Sequence, residues 1–144
     1  MSTSPASTRQ PIGAILRNGF LTIVIGDLAT SVLRFLAVGL LGANGSYPAL
    51  LLGAILFSTT VALGAATLVR VLLERWTTRA GLNFRRIAIG AYVLSLGGPA
   101  SIALGNPQFG PASPAIVLTI VLMHTAAAIT AFLLLGRGST DGKA

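Results

Sequence analysis

Four long apolar runs, separated by short polar or turn-forming segments, set the pattern of this chain: residues 19–41, 49–73, 87–104 and 115–135. Crossing the hydrocarbon core of a bilayer takes about 20 mostly apolar helical residues, and each run is near that length. Residues 42–48 (Gly-Ala-Asn-Gly-Ser-Tyr-Pro) form a turn cluster, and residues 105–114 hold three prolines, which cannot continue a helix. Residues 74–86 are basic instead, with Trp76 and Phe84 expected at headgroup depth, and read as a short interfacial connection. The pattern predicts an all-α, polytopic membrane protein, a four-transmembrane-helix bundle over residues 19–135. Residues 1–18 are expected to be a disordered tail, and residues 136–144 a second tail.

Composition agrees with the pattern. The 144 residues are 53% hydrophobic and 9% charged, whereas a soluble domain carries roughly 25% charged residues. A net charge of +7 would suit a nucleic-acid binder, but the basic residues flank apolar runs and form no stripe interleaved with aromatics, so no nucleic-acid partner is expected. Arg9, Arg17, Arg70, Arg75, Arg79, Arg85, Arg86, Arg137 and Lys143 all fall on one side of the predicted topology, and the two opposite loops carry no charge. Lys and Arg are retained on the cytoplasmic side, which places both termini in the cytoplasm and the protein in the bacterial cytoplasmic membrane. Such asymmetry argues against dual topology. A cleaved signal peptide has a core of 7–15 apolar residues; the first run is longer and contains Asp27 and Arg34, so it is expected to remain as a span.

Ionisable groups inside hydrocarbon need a partner, a wet cavity or an escape to the interface. Asp27, Thr30, Ser31 and Arg34 recur at i, i+3, i+4 and i+7 and share one face of the first span. That face should point into the bundle or an oligomer interface. His124, Ala127, Ala128 and Ala131 share a face of the fourth span, and small residues permit close helix approach. Asp27 and His124 lie at similar depth if the first and last spans are neighbours, as they often are in an up-down bundle. Gly53, Thr60, Gly64 and Thr67 line one face of the second span, with Ser58 and Thr59 beside them. In the third, Gly97, Gly98 and Pro99 follow Ser95 and predict a helix break.

The expected interior is a polar layer of Asp27, Arg34, Ser58, Thr60, Ser95 and His124. Asp27 either pairs with Arg34 or His124 to fix helix register, or handles a proton or cation. Arg34 either joins that layer or extends outward to the interface. His124 is either a hydrogen-bonded packing residue or a relay.

Other chemistry is absent. One histidine, two methionines and no cysteine provide no metal or haem site, and no cofactor is expected. Ser95, His124 and Asp27 could formally make a triad, but no nucleophile motif or phosphate-cradling glycine loop accompanies them. No catalytic residue is assigned, and the chain is expected not to be an enzyme.

Three segments carry a family resemblance: Leu72-Leu-Glu-Arg-Trp-Thr-Thr-Arg-Ala80, Leu94-Ser-Leu-Gly-Gly-Pro-Ala100 and Leu122-Met-His-Thr-Ala-Ala-Ala128. Over roughly residues 20–135 the chain resembles a family of small bacterial four-helix membrane proteins known only as a domain of unknown function. The resemblance implies an architecture, polar residues near Asp27 and Arg34 in the first span, and no mechanism. Val32-Leu-Arg-Phe35 is also similar to a stretch of the small four-helix fluoride channels, but the asparagine and the phenylalanine-threonine-serine box of those proteins are missing.

Together these readings predict a non-enzymatic accessory or self-associating membrane bundle, with the bilayer and further copies of itself as partners. The alternative is a small proton-linked transporter or channel in which Asp27 and His124 exchange protons.

Overall fold

A computed structural model describes residues 9–137 of the chain. The expectations for the outermost tails, with Lys143, lie outside the described residues. Five helices follow in order: α1 (Ile12–Leu40), α2 (Leu52–Trp76), α3 (Ala80–Ser95), α4 (Gly97–Ala103) and α5 (Pro114–Leu135), with 3₁₀ turns at Pro48–Leu50 and Pro107–Phe109. α3 and α4 are two pieces of one crossing, so four helical segments are long and apolar enough to span a membrane. The predicted all-α, four-span architecture is the one the chain builds.

Three helices extend beyond their hydropathy limits. α1 starts at Ile12, inside the expected tail, because Ile15 continues the buried stripe of Gly19, Thr22 and Gly26 at helical spacing while Arg17 faces outward. Residues 74–86 likewise form a corner instead of a loop, since α2 runs to Trp76 and α3 begins at Ala80. Trp76 is 76% exposed, as an interfacial residue should be, but Phe84 is only 2% exposed. It stands four residues after Ala80 on the buried side of an amphipathic first turn, which carries it into the bundle.

Polarity is distributed as in a protein whose solvent is lipid. Thr22, Thr30 and Thr119 are among the most deeply buried side chains, while Leu40, Leu94 and Leu104 are among the most exposed. Where the surroundings are as apolar as leucine, helices associate through close packing of small residues instead of hydrophobic sequestration. Five of the six buried threonines are satisfied locally: Thr22, Thr30, Thr67, Thr119 and Thr130 each donate to the carbonyl four residues earlier, at 2.6–2.9 Å.

α1 packs antiparallel against α2 and α5, with the first and last spans as neighbours, as expected. Its glycines set the approach: a Cβ on Gly19 would collide with Thr67, and one on Gly26 with Leu63. α3 is held more lightly, against α2 and α5; besides Arg85 at its start, its cross-link is the Tyr92 hydroxyl, 2.8 Å from Thr125 Oγ1. The Thr125 hydrogen goes to the Val121 carbonyl, so Tyr92 is the donor. The expected break is present at Leu96. It puts Pro99 third in α4, in a first turn where a missing N–H costs least. At this loop end Ala37, Tyr47, Leu50, Ile102, Ile116 and Ile120 form an apolar cluster.

Candidate functional site

The six residues expected to form one polar layer occupy three places. At the seam of α1 and α2, Asp27 Oδ2 accepts a 2.9 Å hydrogen bond from Thr60 Oγ1, and Oδ1 is buried without a partner. Thr60 itself is exposed on the outer face of α2. Arg34 lies toward the loop end, where Nε donates to the Leu50 carbonyl at 2.7 Å and the guanidinium stands 5.3 Å from the centre of the Phe35 ring. It thereby ties the Pro48–Leu50 turn to α1. Ser58, Ser95 and His124 gather around a cavity between α2 and α5. Among the described residues no hydrogen bond or ion pair joins Asp27 to Arg34 or to His124; Thr60 is its partner.

That cavity is open on one side, has a volume of about 450 Å³ and is lined by Thr30, Ser58, Thr59, Ser95, Met123 and His124 among others. It abuts a second space of about 310 Å³ between α2, α3 and α5, the two sharing Ala62, Ser95, His124 and Ala127. The second is walled by alanines, among them Ala62 and Ala66 of α2, Ala88 and Ala91 of α3, and Ala128 and Ala131 of α5. The alanine face anticipated beside His124 therefore lines a groove, which stays open because α3 packs lightly and alanines cannot fill it.

Hydrogen bonding fixes the polarity of these walls. His124 Nδ1 lies 2.8 Å from the Ile120 carbonyl. A carbonyl only accepts, so Nδ1 donates this bond, and in the Nδ1–H tautomer Nε2 is an acceptor. Ser58 donates to the Ile55 carbonyl at 3.1 Å and Ser95 to the Tyr92 carbonyl at 2.7 Å. Each hydroxyl has spent its hydrogen on its own helix and keeps oxygen lone pairs for another group.

The most extensive polar cluster was not foreseen as one. Arg70, 1% exposed, sits in the end of α2. Its guanidinium donates to Glu74 Oε2 at 2.6 Å, the Leu135 carbonyl at 2.9 Å, Gln10 Oε1 at 3.1 Å and the Arg137 carbonyl at 3.4 Å. The Gln10 backbone N–H donates to Glu74 Oε1 at 2.7 Å. Arg85 adds a bond from Nε to the Gly136 carbonyl at 2.9 Å and stacks 5.4 Å from the Phe132 ring centre. Two arginines thus satisfy carbonyls that the end of α5 leaves without helical partners and oppose its dipole. The sequence signal was Glu74 four residues after Arg70, a spacing that pairs opposite charges on one helical face.

The cluster also gathers the start of α1, the α2–α3 corner and the end of α5 at one end of the bundle. Comparison with known proteins adds a family to this geometry. No curated protein and no solved structure matches the chain. The family of unknown function DUF6069 does match, over residues 10–141, a stretch that takes in all five helices and the Arg70 cluster, and the chain belongs to that family.

Proposed function

We propose that this protein is a non-enzymatic, self-associating component of the bacterial cytoplasmic membrane, with both termini and the α2–α3 corner on the cytoplasmic side. Orientation is supported by the collection of arginines at the end that holds Arg70, opposite two uncharged loops. The observation that carries self-association is the Asp27–Thr60 hydrogen bond. It lies on the outside of the seam between α1 and α2, well inside both helices, where lipid offers no hydrogen bonds and a polar pair is costly to leave uncovered. On the same face of α2, open space surrounds Gly53 and Gly64. Small residues flanking a polar group are what transmembrane helices use to pack together, and a second copy brings both features to the contact.

Size measurement of the purified protein in mild detergent, with single-molecule counting in liposomes, tests this. Wild type should be a dimer or larger, and Gly64→Leu should yield monomers with unchanged helicity, since a Cβ there has nothing within 4 Å in the protomer. A wild-type protein that is monomeric in both settings overturns the reading.

A further inference from the structure

We propose that the joined cavity and groove between α2, α3 and α5 form a binding site for a neutral lipophilic alcohol or phenol, its hydroxyl on His124 and its apolar body along the alanine wall. The two compartments differ in chemistry. The larger presents oxygen and nitrogen atoms from three helices, Ser58 on α2, Ser95 on α3 and His124 on α5. The smaller is almost wholly alanine and other apolar side chains. A ligand filling both must be polar at one end only, and volumes of about 310 and 450 Å³ fall in the ordinary range for small-molecule sites.

The headgroup follows from which hydrogens are already used. Ser58 and Ser95 donate to their own helices and His124 Nδ1 donates to Ile120, so the site faces a ligand mainly with acceptors. An acceptor-rich pocket selects a donor. No lysine or arginine lines it, which disfavours carboxylates and phosphates, and no acidic side chain lines it, which disfavours ammonium groups. A hydroxyl satisfies both conditions. Thr59, lining the same cavity with no hydrogen bond from its own hydroxyl to the described residues, is placed to donate back to the ligand oxygen.

The test is photolabelling in lipid nanodiscs with a long-chain alkanol bearing a diazirine, mapped by mass spectrometry. Label should concentrate on α2 and α5 segments facing the cavity and fall about tenfold with dodecanol at roughly ten times its Kd. Dodecane and dodecanoate should not compete. His124→Phe should reduce labelling by a similar factor, and His124→Gln, whose amide oxygen still accepts, should largely retain it. Should His124→Phe not fold, Ala128→Phe, which fills the groove from a half-buried position, must abolish the label instead. Competition by dodecane equal to that by dodecanol, labelling spread evenly over the exposed surface of α1, or undiminished labelling of either folded Phe variant overturns the proposal.

Discussion

Arg70 Nε lies 2.9 Å from the carbonyl oxygen of Leu135, so a charged side chain on the second crossing closes the end of the last one. The guanidinium is 2% exposed and Glu74 is 9% exposed. Truncating one partner of such a pair strands the other charge, and Arg70→Met should cost about 3–5 kcal/mol. The double change Arg70→Met with Glu74→Met removes both charges and should recover part of that loss. Reversible unfolding in mixed micelles checks both; a double variant less stable than Arg70→Met alone contradicts the account.

Glycine positions on α1 and α3 should respond to alanine with opposite signs. Gly19→Ala drives a methyl group into Thr67 and should destabilise by about 1–3 kcal/mol, the usual cost of overpacking. Gly90 has nothing within 4 Å of an added Cβ, and Gly90→Ala should stabilise α3 by about 0.5–1 kcal/mol through backbone entropy. The same unfolding assay ranks the two against wild type.

Tyr92→Phe should loosen α3 more than it lowers global stability. The bond to Thr125 is lost, but the Thr125 hydroxyl keeps the Val121 carbonyl, so no buried hydrogen is orphaned and the cost should be about 0.5–1.5 kcal/mol. Hydrogen exchange should accelerate in Ala80–Ser95 while α1 stays unchanged.

Orientation is accessible because the chain has no cysteine of its own. Asn44→Cys, Phe109→Cys and Thr78→Cys each sit at an exposed corner. A membrane-impermeant maleimide added to intact spheroplasts should label the first two and spare the third. Labelling of Thr78→Cys with protection of Asn44→Cys would invert the proposed topology.

Span number, the small-residue face around His124 and the break at Gly97, Gly98 and Pro99 were legible because each rests on local chemistry: length, helical spacing and a missing N–H. Partners were harder to see. Asp27 found Thr60 because α1 and α2 cross with Gly19 and Gly26 at the contact, and crossing geometry depends on side chains from both helices at once. Arg34 reached a turn carbonyl at Leu50, and turn carbonyls leave no mark in sequence. Arg70 resembled its solvent-facing neighbours Arg75 and Arg79 until the end of α5 was placed beside it.

The back-bonded threonines bear on how the molecule is assembled. With Thr22, Thr67 and Thr119 already provided for inside their own helices, each crossing can enter lipid as a finished unit and meet its neighbours later. Arg70 is an exception, because two of its acceptors, the carbonyls of Leu135 and Arg137, lie at the end of α5 and just after it. Its clasp closes only when the second and last crossings stand side by side, so docking of α5 on α2 is what completes the partners of the buried guanidinium.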